Sequence, residues 1–156
     1  MSETKGIAAP WQAAAPGSTP VLAQARDENF PVALRVLPRA RRGDLMALYG
    51  FARLVDDIGD EASGDRLAAL DAVELDLARA FEGRAEHPLL RALTPTLRAH
   101  QLPRRPFLDL IEADRFDQRV SRTRTWDDLL AYSALSANPV GRLVLGVFDA
   151  STPARD

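Results

Sequence analysis

Apolar residues recur at three- and four-residue spacing along most of this chain, and no stretch alternates apolar and polar between hairpin turns. The pattern therefore predicts an all-α protein. Leu67, Leu70, Val73, Leu77 and Phe81 mark one amphipathic helix, which Ser63 is placed to cap and Gly83 to stop. Thr19-Pro20 opens a short helix to about Arg26, and Asn29-Phe30-Pro31 precedes a second short apolar segment ending near Pro38. A longer helix runs from about Gly43 to Gly59. His87-Pro88 opens a segment to about His100 that Pro95 is expected to break, and Pro103 and Pro106 introduce another helix through Leu110, Ile111 and Asp114 to about Val120. Thr125-Trp126-Asp127-Asp128 reads as a capping box with Asp in place of Glu, opening a helix through Tyr132 that Asn138-Pro139 is expected to interrupt.

The helix ending in Val55-Asp56-Asp57-Ile58-Gly59-Asp60 carries the strongest chemical signal. Tyr49, Arg53 and Asp60 fall within about 60° of Asp56 around its axis, while Leu48, Phe51, Leu54, Val55 and Ile58 take the other side. Carboxylates at i and i+4 repel each other, so this stripe needs a cation or abundant water. Mg²⁺ suits it, because that ion takes one or two protein carboxylates and fills its other positions with water and phosphate oxygens. Arg53 is then placed to reach the same diphosphate. The competing reading is a solvated acidic face on which Arg53 pairs with Asp56 at i, i+3. A second segment, Ile111 to Gln118, again sets acids beside aromatic and aliphatic positions, although by periodicity alone an exposed helix face explains it better. The small residues from Tyr132 to Gly141 allow either tight helix packing around a kink or room for a long apolar ligand.

Composition narrows the choices. With 156 residues, 46% of them hydrophobic, the chain can build one cored domain, and residues 20–156 are assigned to it. Residues 1–19, rich in Ala, Pro, Gly and Ser, read as a disordered tail without the features of a secretory signal. The absence of cysteine excludes disulfides, thiolate nucleophiles and cysteine-ligated metals. A net charge of −2 provides no field for nucleic acid, and no apolar run reaches the length of a membrane span. A cytoplasmic setting is expected, with peripheral membrane contact left open. His87 and His100 sit beside helix ends and read as caps or surface residues; Ser133 and Ser136 lack the glycines of a nucleophile elbow.

Taken together, Asn29-Phe30 through Leu37-Pro38, Tyr49 through Asp60, Ile111 through Gln118, and Tyr132 through Gly141 resemble the squalene/phytoene synthase family in order and separation. Glu28-Asn29-Phe30-Pro31-Val32-Ala33 and Ala137-Asn138-Pro139-Val140-Gly141 look most like its hydroxysqualene synthase branch, in bacterial hopanoid biosynthesis. The resemblance implies the N-terminal part of an all-α class I isoprenoid synthase bundle, in which two facing acidic motifs hold Mg²⁺ and a substrate diphosphate above an apolar cavity. It assigns Asp56 and Asp60 to the metal, with Asp57 the neighbouring acid, and Tyr49 and Arg53 to the diphosphate pocket. By the same resemblance Asn29, Phe30 and Asp117 contact substrate, and Tyr132 lines the cavity.

The implied reaction takes presqualene diphosphate and one water to hydroxysqualene and diphosphate. Head-to-head condensation of farnesyl or geranylgeranyl diphosphate is the alternative within the family, and a non-catalytic helical interaction module is the alternative outside it. The family is about twice as long, and nothing after Asp117 supplies its second acidic motif. Ser151-Thr152-Pro153 reads as the opening of a helix that the chain does not contain. The expectation is thus a truncated domain, inactive unless a C-terminal half complements it. Asn138 and Thr123 also depart from the residues common in relatives.

Overall fold

A computed structural model describes residues 37–60, 64–119 and 125–150. Within them the chain forms α1 (Arg39–Asp60), α2 (Arg66–Glu82), α3 (Pro88–Ala99), α4 (Arg105–Asp117) and α5 (Trp126–Val147), and no strand. The all-α expectation is met. Asn29 and Phe30, the tail, the two short N-terminal segments, Ser63, Thr123 and Ser151-Thr152-Pro153 lie outside the described residues. None of the helices is long and apolar enough to cross a membrane.

Helix α1 is the hub, packing against each of the other four. Its apolar stripe buries Leu48, Phe51, Leu54, Val55 and Ile58, as the periodicity requires. Phe107 of α4 stands edge-on to Phe51 at 5.2 Å between ring centroids and to Phe81 of α2 at 6.0 Å, so three helices share one aromatic contact. Leu70, Val73 and Leu77 of α2 and Leu90 and Leu93 of α3 complete the fully buried core.

Caps explain most of the boundaries. Asp65, rather than Ser63, caps α2 by accepting from the Ala68 N–H at 3.0 Å. Gly83 ends that helix with φ at +81°, a left-handed conformation available to glycine at little cost. In the α2–α3 connection the buried Asp76 carboxylate accepts from the Glu86 and His87 N–H groups at 2.9 and 2.8 Å. The His87 ring, itself buried, caps α3 by accepting from the Leu89 N–H at 3.2 Å. Thr125 and Asp128 form the predicted reciprocal capping box.

Two expected breaks do not occur. Helix α3 runs through Pro95 and α5 through Pro139. A proline in a helix interior removes one backbone bond and costs roughly 3 kcal/mol, which packing on either side offsets. In α3, Leu93 before the proline and Leu97 after it are both core residues. In α5, Tyr132 is tied to α4 before the proline, and Leu143 and Val147 enter the core after it. Arg41 of α1 secures the far end of α5, donating to the Val147 carbonyl and lying 5.8 Å from the centroid of the Phe148 ring.

Asp76→Ala should cost roughly 1–3 kcal/mol, because it strips acceptors from two backbone donors at a buried turn. Phe107→Ala should cost roughly 3–5 kcal/mol by opening a cavity among three helices. Urea unfolding followed by circular dichroism measures both, and a wild-type midpoint for either variant would refute the packing described here.

Candidate functional site

Each of three helices contributes one face to a single cavity of about 300 Å³. Helix α1 supplies Ala52, Asp56 and Asp60, four residues apart and therefore one above the other. Helix α4 supplies Leu110, Ala113, Asp114 and Asp117, and α5 supplies Tyr132, Ser136 and Val140. Ala52, Leu110 and Val140 also border an apolar groove of about 90 Å³, whose other walls are Leu45, Leu48, Tyr49, Leu143 and Val144. Acidic cavity and apolar groove thus lie side by side and share three wall residues, an arrangement suited to a ligand with a charged head and a hydrocarbon tail.

The four carboxylates crowd one another. Asp56 and Asp60 are exposed at the rim, whereas Asp114 sits deeper and close against α1. A Cβ at residue 59 would overlap Asp114 Oδ1, so Gly59 is what allows this approach. Burial, and then the charges of Asp56, Asp117 and Asp60, push the Asp114 carboxyl up to about 7. Tyr132 donates its hydroxyl to Asp117 Oδ2 at 2.7 Å. That bond, followed by burial, pushes the phenol up to about 12, so Tyr132 keeps its proton and serves as a donor.

Not every expected residue reaches this cavity. Asp57, 100° around the helix from Asp56, is only 2% exposed and faces the protein interior. Arg53 Nε lies 2.8 Å from Asp57 Oδ1, an i, i+4 pair, and Arg53 is not among the described residues of the cavity wall. Arg53 and Asp57 thus form an ion pair at the core-facing flank of α1. Tyr49 lines the apolar groove instead of the acidic cavity. His87 is a buried cap held below the usual imidazole range by its burial, and His100 Nε2 lies 3.0 Å from Asp44 Oδ2, away from the cavity. Asp114 is the residue that sequence reasoning passed over as a site candidate. Its signal was present, since Asp114 and Asp117 are three residues apart and share a face much as Asp56 and Asp60 do.

The donor set suits a hard cation. Four carboxylates with a hydroxyl and no sulfur or imidazole favour Mg²⁺ over softer metals. Among the described residues no three such side chains already form a cluster that would hold an ion unaided. The fit is thus to a cation that brings water or substrate oxygens to complete its shell, with Asp56 and Asp60 on one side and Asp114 and Asp117 on the other.

The squalene/phytoene synthase profile matches residues 23–156. Hydroxysqualene synthase from Sinorhizobium fredii is 39% identical over 137 residues, covering 84% of this chain and 46% of that protein. Hydroxysqualene synthase from Zymomonas mobilis is 41% identical over 128 residues, covering 78% of this chain and 42% of its own length. The crystal structure of squalene synthase HpnC from Alicyclobacillus acidocaldarius superposes with a TM-score of 0.80 at 47% identity, over 88% of this chain and 53% of that one. The chain thus spans about half the length of the relatives it matches. With the profile covering all but its first residues, the chain belongs to the squalene/phytoene synthase family.

Proposed function

We propose that this chain carries the diphosphate end of a Mg²⁺-dependent prenyl diphosphate enzyme, and that the reaction converts presqualene diphosphate and water to hydroxysqualene and diphosphate, a step of squalene and hopanoid biosynthesis. The observation that carries the proposal is the pairing of four carboxylates on α1 and α4 around one cavity that shares three wall residues with an apolar groove. The hydroxysqualene synthase name of two relatives near 40% identity supports the choice of reaction. A second reading, head-to-head condensation of farnesyl diphosphate, draws on the squalene synthase name of the structural relative.

Bound Mg²⁺ would stabilise the negative charge that builds on the departing diphosphate. Asp56 and Asp60 would face it from one side of the cavity. Tyr132, by donating to Asp117, fixes which oxygen of that carboxylate stays free. Tyr49 and the aliphatic side chains of the groove keep bulk water from the hydrocarbon, and the Tyr49 ring face can attract a developing carbocation. Arg53 acts at one remove, balancing the buried Asp57 charge so that α1 keeps its core-facing stripe.

The isolated chain is proposed to bind Mg²⁺ with diphosphate weakly and to turn over poorly unless a complementing half is supplied. Association with a membrane surface at the cytoplasmic face belongs to the same proposal, because the substrate is a lipid. Parallel incubations with presqualene diphosphate and with farnesyl diphosphate, each with Mg²⁺, followed by diphosphate release and mass-spectrometric product analysis, test the reaction and its alternative. Hydroxysqualene from presqualene diphosphate and water supports the first reading, and presqualene diphosphate with one diphosphate released from two farnesyl diphosphates supports the second.

Asp56→Asn and Asp60→Asn should each weaken Mg²⁺-dependent diphosphate binding at least about ten-fold while changing stability by less than about 0.5 kcal/mol, as expected at exposed positions. Asp57→Asn should do the reverse, costing roughly 1–3 kcal/mol of stability with little direct effect on binding. Calorimetric titration and thermal melts separate the two classes. If Asp56→Asn binds as wild type does, the interaction-module reading gains.

Stability should also depend on pH through Asp114. An aspartate in the unfolded chain ionises near pH 4, whereas in the folded chain Asp114 holds its proton to about 7. Between those values the folded state binds more protons, so stability falls as pH rises and levels off above about 7. Asp114→Asn should flatten that slope, raising Tm at pH 8 and leaving it nearly unchanged at pH 4. Melting curves across this range would contradict the assignment if the wild type became more stable between pH 5 and 7 and the variant followed it.

A further inference from the structure

The last carbonyls of a helix lack partners within the helix, and at the end of α1 one of them is taken up in an unusual way. Gln118, the C-cap of α4, donates Nε2 to the Gly59 carbonyl at 2.8 Å. Arg66, the first residue of α2, donates Nη1 to the same oxygen at 2.9 Å, and that nitrogen also lies 3.5 Å from Gln118 Oε1. Three helix termini therefore converge on one carbonyl, flanked in sequence by Ile58 and Asp60 and directly beneath the Asp114 carboxylate. The position matters because Asp56 and Asp60 on α1 face Asp117 on α4 as like charges across the cavity, with Asp114 beside them. Their mutual repulsion pushes the two helices apart, and the shared carbonyl is the tie nearest to that repulsion.

Resting on the reading of the cavity as a divalent-cation site, we propose that Arg66 and Gln118 are positioning residues, which clip the end of α1 to α4 and so set the separation of the two carboxylate pairs that receive the cation. Neither side chain belongs to the cavity wall, so the effect passes through the Gly59 carbonyl rather than through direct contact with the ion. The Arg66 guanidinium also brings a positive charge to the α1 C-terminus, where it complements the helix dipole without entering the acidic face. Gly59 has a double role: its carbonyl is the anchor, and its missing side chain lets Asp114 lie against α1.

The test is Mn²⁺ binding to the purified chain, followed by electron paramagnetic resonance and corrected for the folded fraction. Gln118→Ala and Arg66→Met should each weaken Mn²⁺ affinity roughly ten-fold, in the range seen when second-sphere supports of metal ligands are removed. Arg66→Lys, which keeps a donor for the carbonyl, should recover most of that loss. Asp76→Asn, at the α2–α3 connection, serves as a control that lowers Tm and leaves the affinity in place. If wild type binds Mn²⁺ and Asp56→Asn loses it while Gln118→Ala and Arg66→Met bind normally, the cation reading stands and the clip is overturned. If Asp76→Asn weakens binding as much as the clip variants do, general destabilisation explains the loss and the clip is again overturned. If wild type binds no Mn²⁺, the cation reading fails and takes the clip's proposed role with it.

Discussion

Helix α1 must satisfy two opposed environments on one cylinder, and the rest of the structure follows from how it divides them. Phe51, Leu54, Val55 and Ile58 are almost wholly buried against the other helices, while Asp56 and Asp60 stand on the facing stripe. The residue between them in sequence, Asp57, falls on the wrong side of that division and is stabilised there by Arg53. A helix with carboxylates at i and i+4 is disfavoured when isolated, so its stability must come from the apolar face. The shared contact of Phe51, Phe107 and Phe81 is the centre of that face. The same packing that buries the apolar stripe fixes where the acids point.

The carboxylates of α4 complete the arrangement at an electrostatic cost. Asp114 approaches α1 at the one position where no side chain obstructs it, and it responds to the surrounding negative charge by holding its proton toward neutral pH. Acids brought this close are tolerated only where a proton or a counter-charge offsets their repulsion. Tyr132 moderates the charge of Asp117 without adding a cation of its own. Beyond the acids the cavity becomes purely aliphatic apart from Tyr49, which matches the two-part character of a prenyl diphosphate.

Much of this was legible in the chain. The helical periods located α1 to α5, and the acidic stripe of α1 and the capping box of α5 were visible as residue patterns. Pro95 and Pro139 misled because a local rule about proline gives way where core residues on both sides hold the helix. A 100° step around a helix separates Asp56 at the cavity from Asp57 at the core, and a broad 60° sector does not resolve which side chain crosses that line. Asp114 and the Arg66–Gln118 clip were not legible at all as a unit, since they depend on contacts between residues some 50 positions apart. Family resemblance supplied the meaning of the acidic helix, and the geometry supplied its partners.

The most direct measurement is paramagnetic broadening of backbone amide signals on titrating Mn²⁺ into isotope-labelled protein. Broadening should begin at residues 56–60 of α1 and 113–117 of α4 together, and Asp56→Asn should reduce it at both. Broadening confined to one helix, or centred instead near Asp149 and His100 at the opposite end of α5, would contradict a cation site shared between α1 and α4.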